Sequence, residues 1–353
     1  MDYIEKLGWD DSIQIEKENA ARVITVQKNS YRIADGVEEY LAHLSGKFLN
    51  QAMTSLDFPA VGDWVEVQKL QDEQKAVIKQ VLPRKSQFVR QAAGTRTDAQ
   101  IVASNIDTVF IVNSLNYDLN VRRIERYILS TYESGAVPVV VLTKKDECTS
   151  DEVEKAISQV EEVAIGVPII AVSNITGDGF DELNGHLLPE KTVALLGSSG
   201  VGKSTMVNTL FDKKVQETKD IREDDSRGRH TTTHREMFIL PNGALLIDTP
   251  GMRELQLWEG ESAMDTAFQD VESLAEQCRF TDCGHDSEPG CRVNQALVDG
   301  ELSEERFKSY LKLQRELAYE KRRQDQKAKL EEKNKWKKVS KSLKSKYKKR
   351  NVR

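Results

Sequence analysis

The stretch that most restricts the fold and function of this chain runs from Thr192 to Thr205. Its sequence is T-V-A-L-L-G-S-S-G-V-G-K-S-T. Its first five residues are typical of a short buried strand, and the pattern G-x-x-x-x-G-K-S follows at once. Glycines in such a loop let successive backbone N–H groups point at phosphate oxygens, at the positive end of the next helix. The alternative is an ordinary Gly/Ser turn, but the strand before the loop and the helical pattern after it favour a nucleotide phosphate site. The predicted loop consists of Gly197, Ser198, Ser199, Gly200, Val201, Gly202, Lys203, Ser204 and Thr205.

Residues in and after this loop supply the chemistry that a bound nucleotide needs. Lys203 reaches the outer phosphates, and the Ser204 hydroxyl is a ligand for Mg2+. The pattern D-T-P-G ends a later predicted strand, where we expect Asp248 to hold Mg2+ and the Gly251 N–H to sense the γ-phosphate. The sequence therefore predicts a triphosphate site that uses Mg2+.

A second pattern, T-K-K-D at 143–146, predicts which base is bound. It follows the predicted strand 137–142, at the strand end where α/β sheets bind ligands. The Asp146 carboxylate can accept two hydrogen bonds from guanine, whereas adenine offers no such pair of donors, which disfavours an ATPase or kinase. The stem of Lys144 would pack over the base, and a loop after the next strand would complete the pocket. The predicted base pocket consists of Thr143, Lys144, Lys145, Asp146, Ser173 and Asn174.

The order of these motifs along the chain differs from that of an ordinary GTPase. The base-reading motifs come before the phosphate loop, and D-T-P-G comes after it. From Asp107 onward, strands alternate with helical patterns, which predicts a parallel sheet covered by helices. Such a sheet can be cut in one loop and rejoined at its old termini without disturbing its site. The sequence therefore predicts a circularly permuted P-loop GTPase domain.

The first hundred residues are predicted to form a β-barrel. Gly and Pro residues separate five short strand-like runs, at 22–26, 30–34, 39–44, 63–67 and 75–81. Five strands at this spacing fit a small closed barrel, and barrels of the OB type commonly bind oligonucleotides. Periodicity does not separate an OB barrel from an SH3-like barrel, and neither fold by itself proves a ligand.

Charge is distributed unevenly along the chain. Residues 321–353 hold sixteen Lys and Arg against three acidic residues, so this segment carries +13 within a chain whose net charge is -6. A basic arm on an acidic body suggests an anionic partner such as nucleic acid, although a solubilising tail explains the charge equally well. No apolar run approaches membrane-spanning length, and residues 1–10 do not resemble a secretory signal. We therefore expect a cytoplasmic protein without a membrane partner.

Three of the four cysteines lie within fourteen residues, together with a histidine. The pattern C-x4-C-x-H-x5-C consists of Cys278, Cys283, His285 and Cys291. In a cytosolic chain such clustering favours a metal over a disulfide. Three thiolates and one imidazole suit a closed, tetrahedral, structural Zn2+ site with no open position for catalysis. The alternative is three small buried cysteines and a surface histidine.

Together these motifs resemble a known family, the RsgA (YjeQ/YloQ) ribosome small-subunit biogenesis GTPases. The resemblance covers nearly the whole chain, and the permuted order combined with the cysteine pattern makes it specific. The basic extension after Lys321 is longer than the family leads us to expect. The motifs that carry the resemblance are P-A-V-G-D-W-V (59–65), T-K-K-D, G-S-S-G-V-G-K-S, R-G-R-H-T-T-T (227–233), D-T-P-G and C-R-F-T-D-C-G-H-D-S-E-P-G-C (278–291).

The resemblance implies a multidomain protein. Its parts would be an OB barrel over 1–98, a circularly permuted GTPase domain over 99–258, and a helical zinc-binding domain with a basic tail over 259–353. It implies a monomer that binds GTP and GDP with Mg2+, and that binds the small ribosomal subunit through its rRNA. GTP hydrolysis would be stimulated by the subunit late in maturation and would drive release. The alternative is a nucleotide-switched rRNA-binding module with little turnover of its own.

The D-T-P-G motif offers no partner for the attacking water. Where many GTPases place glutamine after Gly251, this chain has Met252, which neither donates nor accepts usefully. We predict that His230 positions the water and that one of three threonines ligates Mg2+ when GTP orders the loop. Thr232 is the favoured ligand, and Thr231 and Thr233 are the alternatives. The alternative is that His230 contacts only rRNA or solvent. The predicted catalytic residues are thus His230, Thr232 and Lys203.

Overall fold

The structure is a computed structural model of the 353-residue chain. It describes residues 3–27, 30–70, 73–91, 99–116, 119–211, 236–248, 264, 266–286, 288–318 and 322. The chain divides into two compact units, Met1–Leu257 and Trp258–Arg353. The finer division into three domains, at 98/99 and 258/259, stays a prediction.

Five strands near the N-terminus form a closed barrel: β1 (Ala20–Gln27), β2 (Ser30–Ala34), β3 (Glu39–Leu44), β4 (Trp64–Lys69) and β5 (Lys75–Val81). They pair in the order β1-β2-β3-β5-β4, and β4 closes the barrel on β1. β3 and β5 are parallel, and the other pairs are antiparallel. With helix α1 (Gly46–Gln51) between β3 and β4, this five-stranded Greek-key order is that of an OB barrel. The predicted barrel is confirmed, and the strand order decides between the OB and SH3-like alternatives.

Alternation along the strands explains how the barrel is filled. In β4, Val65 and Val67 are buried, whereas Glu66 and Gln68 are not. Because successive side chains of a strand point to opposite faces, one face of each strand lines the interior. β-Branched residues fit such a half-buried pleated surface. The interior cluster includes Ala21, Val23, Ile33, Ala42, Val65, Val67, Ala76 and Ile78.

A two-stranded antiparallel sheet follows the barrel. It consists of β6 (Gln87–Gln91) and β7 (Ala99–Ser104), which lie on either side of the predicted boundary at 98/99. The sequence did not predict these strands, because five or six residues with few β-branched side chains carry a weak period-2 signal. Ile101 and Val102 of β7 are buried, so the strand contributes to the core of the first unit.

The described part of the first unit contains six further strands: β8 (Thr108–Ser114), β9 (Val137–Thr143), β10 (Ile169–Ala171), β11 (Thr192–Leu196), β12 (Glu236–Ile239) and β13 (Leu245–Asp248). β12 pairs with β1 of the barrel through Glu236 and Thr25, so these strands and the barrel form one hydrogen-bonded sheet. Their order across the sheet is β10-β9-β8-β11-β13-β12. All neighbours are parallel except β12 and β13, which form an antiparallel pair. Near-continuous apolar runs suit strands covered on both faces, and β11 is buried throughout. The predicted parallel sheet is confirmed.

Within the described residues, the helices that connect these strands are α2 (Val121–Ser134), α3 (Ser150–Glu161), α4 (Phe180–Asn184) and α5 (Lys203–Leu210). α2 begins where the Asn120 side chain accepts a hydrogen bond from the Arg123 N–H, at 3.0 Å. It ends at Gly135, whose φ of 87° lies in the left-handed region that glycine tolerates best. α3 begins with a capping box formed by Thr149 and Glu152. Local sequence thus sets where the longer helices start and stop.

A buried arginine joins the barrel to the parallel sheet. Arg22, on β1, is 1% exposed. It donates hydrogen bonds to the carbonyl oxygens of Leu7, Gly62 (3.1 Å) and Asn105 (3.0 Å), and to the Thr192 hydroxyl (2.8 Å). Thr192 is the first residue of β11, the strand that leads into the phosphate loop. A buried guanidinium held by four acceptors therefore fixes the barrel against this strand.

The described residues of the second unit include the helices α6 (Gln269–Ala275), α7 (Arg292–Val298) and α8 (304–318). Ser303 caps α8 by accepting a hydrogen bond from the Arg306 N–H at 3.1 Å. The Arg306 guanidinium lies 4.0 Å from the centre of the Phe268 ring and donates two hydrogen bonds to Asp270. Phe268 and Tyr310 pack edge to face, with ring centres 5.5 Å apart. None of the helices that the structure describes is long and apolar enough to span a membrane.

Candidate functional site

The predicted phosphate loop lies between β11 and α5, at the carboxyl end of the parallel strands. A Cβ atom at Gly197 would lie 2.2 Å from the Val112 carbonyl oxygen, so no larger residue fits there. Gly200 and Gly202 have φ of 83° and 90°, which side chains with a Cβ rarely adopt. Three positions of the G-x-x-x-x-G pattern thus require glycine for reasons of backbone geometry.

Lys203 holds the loop closed on itself. Its ammonium donates hydrogen bonds to the carbonyl oxygens of Gly197 (2.7 Å) and Ser198. Lys203 is also the first residue of α5, and Ser204 and Thr205 follow half-buried in the first turn. Backbone N–H groups at the start of a helix attract anions. The loop therefore presents an ammonium and a helix N-terminus in one place.

The T-K-K-D motif is tied to this loop by a buried hydroxyl. Thr143, the last residue of β9, is fully buried. Its Oγ1 donates a hydrogen bond to the Val201 carbonyl oxygen at 2.7 Å, and it also lies 3.3 Å from the Asn113 carbonyl oxygen. Residues 143 and 201 are 58 positions apart in the chain. One side chain thus fixes the distance between the base-reading motif and the phosphate loop.

The next three residues of the motif lie at the surface. Lys144 adopts a left-handed conformation with φ of 63°, and its ammonium lies 3.9 Å from Glu147. The Lys145 ammonium pairs with Asp178 at 2.8 Å. Asp146 is exposed, and its Oδ1 accepts a hydrogen bond from the Ser173 hydroxyl at 2.5 Å. Because the Asp146 side chain is exposed, its second carboxylate oxygen can accept further hydrogen bonds from a ligand.

The Ser173-Asn174 loop contacts both of the other motifs. Ser173 is 1% exposed and donates to Asp146, as described above. The Asn174 amide donates a hydrogen bond to the Gly202 carbonyl oxygen at 3.2 Å. A Cβ atom at Gly202 would lie only 2.8 Å from the same amide nitrogen, so the two loops pack closely. Three motifs that are separate in sequence therefore form one continuous hydrogen-bonded edge.

Several predicted site residues fall outside what the structure describes. Asp248 is the last residue of β13, which is parallel to β11, but its side chain is not among those described. His230, Thr232 and Gly251 lie outside the described residues altogether. Their predicted roles in hydrolysis and in Mg2+ binding stay predictions.

One contact at the phosphate loop is absent from the sequence-based predictions. Arg123, in the first turn of α2, donates a hydrogen bond from Nη1 to the Ser198 hydroxyl at 2.6 Å. The sequence around it, V-R-R-I-E-R-Y-I-L, indicates only an amphipathic helix. The two residues are 75 positions apart, so no local pattern joins them.

The four predicted metal ligands of the second unit meet in one cluster. One ligand atom from each of Cys278, Cys283, His285 and Cys291 lies within 4.8 Å of all the others. The Sγ atoms of Cys278 and Cys291 are 3.9 Å apart, and His285 Nδ1 lies 3.6 Å and 3.5 Å from them. The cluster therefore offers four donors to a single metal ion.

The thiols of the cluster differ in how readily they ionise. Burial opposes ionisation of Cys278, but the backbone N–H groups of Val293 and Arg292 outweigh it and hold its pKa below the usual value. For Cys283, the His285 N–H favours the thiolate, but burial and the two neighbouring thiols outweigh it and raise its pKa to about 11. Crowded thiols thus compete for ionisation, and a bound cation relieves that competition.

Comparison with known proteins gives consistent results. Residues 81–258 match a family model described as RsgA GTPase. The chain is 46% identical over 339 residues to "Small ribosomal subunit biogenesis GTPase RsgA 1" of Oceanobacillus iheyensis, with 96% of this chain and 95% of the relative covered. It is 44% identical over 349 residues to "Small ribosomal subunit biogenesis GTPase RsgA 2" of Lactiplantibacillus plantarum, with 97% of each covered.

Two solved structures share the architecture. The crystal structure of YjeQ from Thermotoga maritima matches with a TM-score of 0.65 at 27% identity, covering 85% of this chain and 98% of that one. The structure of YloQ, "a circularly permuted GTPase", matches with a TM-score of 0.63 at 23% identity, which supports the fold alone. The predicted permuted fold and the predicted family are thus both confirmed. This chain belongs to the RsgA GTPase family.

Proposed function

We propose that this chain hydrolyses GTP to GDP and phosphate in the late maturation of the small ribosomal subunit. One observation carries the enzymatic part of the proposal: Thr143 and Asn174 hydrogen-bond the carbonyl oxygens of Val201 and Gly202. These hydrogen bonds hold the base-reading residues next to the phosphate loop. The two parts together therefore suit one ligand that has both a base and phosphates. Family membership supports the hydrolytic reaction.

The phosphate end of the ligand would lie on residues 197–205. Backbone N–H groups of the loop and of the first turn of α5 would bind phosphate oxygens, and Lys203 would reach the outer phosphates. Ser204, Thr232 and Asp248 are the proposed ligands of Mg2+, which would neutralise charge that develops on the phosphates. The loop needs little rearrangement to act, because Lys203 already holds its two ends together.

The base would lie against the T-K-K-D motif. Asp146 keeps an exposed carboxylate edge while Ser173 anchors its Oδ1, so its orientation is fixed before a ligand arrives. A carboxylate fixed in this way can accept hydrogen bonds from the ring N–H and the amine of guanine together. The Lys144 stem and the backbone of Asn174 would bound the base on its other sides.

Action on the small ribosomal subunit is supported by relatives and by charge. The two relatives that cover nearly the full chain carry names that refer to small ribosomal subunit biogenesis. OB barrels commonly bind oligonucleotides, and residues 321–353 carry +13. We infer that the barrel and the basic segment contact rRNA, and that the protein acts in the cytoplasm.

The metal of the second unit is proposed to be a structural Zn2+. Two thiolates bound to tetrahedral Zn2+ at about 2.3 Å lie about 3.8 Å apart, and the Sγ atoms of Cys278 and Cys291 are 3.9 Å apart. Four protein ligands leave no open position, so the ion would organise the unit rather than take part in hydrolysis.

The proposal is tested by GTP turnover with and without purified small subunits. We expect slow turnover alone and much faster turnover with small subunits, but no stimulation by large subunits. The Lys203→Ala variant should lose about two to three orders of magnitude of turnover, because it removes the charge at the outer phosphates. Negligible turnover of the wild type under all conditions would instead favour a nucleotide-switched rRNA-binding module.

The predicted role of His230 is tested in the same assay. His230→Ala should leave GTP binding and subunit binding intact while removing the stimulated turnover, since the imidazole is proposed to position the water. His234→Ala, four residues along, is the matched control and should behave as the wild type. Full stimulated turnover of the His230→Ala variant would leave His230 without a catalytic role.

A further inference from the structure

An arginine of helix α2, Arg123, contacts the phosphate loop. Arg123 is half-buried, and its Nη1 donates to the Ser198 hydroxyl at 2.6 Å. Ser198 accepts a second hydrogen bond at its carbonyl oxygen, from the ammonium of Lys203. Ser198 is thus held by two cations, one on its side chain and one on its backbone.

The contact lies at the end of the loop where the outer phosphates bind. In loops of this pattern the lysine reaches the β- and γ-phosphates, so its ammonium marks that end. The Lys203 ammonium contacts Gly197 and Ser198, the first two residues of the loop. Because Arg123 binds the same Ser198, its positive charge lies at the outer-phosphate end as well.

The position of Arg123 in its own helix is locally unfavourable. The first turn of α2 contains no acidic residue, and it carries Arg122 and Arg123. Positive charge at the N-terminus of a helix is opposed by the helix dipole. Arg122 reaches Glu125 along the helix, at 3.5 Å, whereas Arg123 reaches across to the loop. A residue that breaks a local rule in this way is often explained by a functional site.

We propose that Arg123 is a positioning residue for GTP, an inference that rests on the proposed function. By holding Ser198, it fixes the first turn of the phosphate loop against α2, and it adds a second positive charge at the γ-phosphate end. A terminal phosphate gains most from that charge, so Arg123 should favour GTP over GDP. The role differs from that of Lys203, which is itself part of the loop.

The test is nucleotide affinity of the full chain, measured with Mg2+ for GDP and for a non-hydrolysable GTP analogue. Arg123→Ala should weaken binding of the analogue about tenfold and of GDP about threefold or less, since a charge-assisted hydrogen bond is lost. Arg123→Lys keeps the charge and should restore most of the preference for the analogue. Arg122→Ala, one residue away on the same helix, is the matched control and should bind both nucleotides as the wild type does.

A double-mutant cycle shows whether Arg123 acts through Ser198. Ser198→Ala alone should weaken both nucleotides about two- to threefold, and the double variant should bind no more weakly than Arg123→Ala. Additive losses would overturn the positioning role. So would equal losses for both nucleotides together with a lower melting temperature, because packing alone would then explain them.

Failure of this inference is distinguishable from failure of the proposed function. If Lys203→Ala binds the analogue as tightly as the wild type, the phosphate site itself is wrongly assigned. If Lys203→Ala binds weakly but Arg123→Ala binds both nucleotides normally, only the role of Arg123 is wrong.

Discussion

The nucleotide site and the metal cluster are assembled over very different lengths of chain. At the nucleotide site, one hydrogen bond joins residues 58 positions apart and another joins residues 75 positions apart. The four ligands of the metal cluster all fall between residues 278 and 291. The first site is formed by the edge of a sheet, and the second by the segment that connects two helices.

This difference predicts how each region depends on its ligand. The sheet behind the nucleotide site has an extensive buried core, so its loops are held without a bound nucleotide. In the described part of the second unit, Phe268, Val271, Val293 and Tyr310 are buried, and Arg306 packs on the Phe268 ring. Small units without an extensive core often rely on a metal for stability. The comparison therefore predicts that ligand loss leaves one region folded and unfolds the other.

The largest expected effect is that of metal removal. Chelation, or Cys283→Ser, should unfold residues 258–353, because the free energy of metal binding is part of the free energy of folding in such sites. Nucleotide binding should be unchanged. Amide hydrogen exchange measured along the chain reports on the folding of both regions in one experiment. Cys148→Ser is the matched control, because Cys148 lies outside the cluster. If the amides of the second unit kept their native protection from exchange after complete metal loss, the predicted difference between the two regions would be wrong.

The next largest effect concerns base selection. Asp146→Asn should lower GTP affinity about a hundredfold and favour xanthosine triphosphate, whose base offers an acceptor where guanine has an amine. The asparagine keeps an oxygen for the Ser173 hydroxyl, so the melting temperature should not change. Asp178→Asn, an exposed acid on the same edge, should retain GTP preference. A variant at position 146 that still prefers GTP would refute the base assignment.

A smaller effect tests whether the long-range hydrogen bond matters. Thr143→Val keeps the side-chain shape but removes the bond to the Val201 carbonyl oxygen, so it should cost about 1–2 kcal/mol of stability and about tenfold in GTP affinity. Thr131→Val is the matched control, because Thr131 is equally buried and bonds the Tyr127 carbonyl oxygen within α2. The control should lose stability but not affinity. Equal affinity losses in both variants would show that the loops do not depend on this bond.

The smallest expected effect is a difference between the two units in how their stability depends on pH. The metal cluster should release its ion as the pH falls, because its ligands must be deprotonated to bind the ion. In the barrel, burial opposes ionisation of Asp35, but the N–H groups of Glu38 and Val37 and the ammonium of Lys69 outweigh it and hold its pKa below 3.8. A lowered folded-state pKa means that this stabilisation is present above pH 3.8 and is lost as the pH falls through the folded value.

The acid experiment follows metal release and barrel unfolding in the same titration. Asp35→Asn should reduce the stability change of the barrel between pH 5 and pH 3, without moving the pH of metal release. An unchanged acid profile of that variant would mean that Asp35 contributes nothing to the barrel. Simultaneous loss of metal and barrel would contradict the independence of the two units.

Much of the candidate site could be predicted from sequence because its chemistry is local. The glycines at 197, 200 and 202 are required by backbone geometry within six residues, and Lys203 follows them directly. The metal ligands lie within one short segment of the chain, between residues 278 and 291, so their spacing alone predicts that they meet. The five barrel strands likewise follow short patterns that can be recognised along the sequence.

Long-range contacts were decided only by the tertiary structure. Whether the barrel is of the OB type depends on which strands pair, and periodicity does not contain that information. The pairing of β6 with β7, the burial of Arg22 between the barrel and β11, and the reach of Arg123 to Ser198 gave no local signal. A sequence pattern indicates the preferred backbone conformation of a short segment and which of its faces is buried. It carries this information only over one or two turns of a helix, or over one or two strands. Contacts between residues far apart in sequence exist only once the sheet has brought its strand ends to a common edge, so their partners follow from topology rather than from spacing.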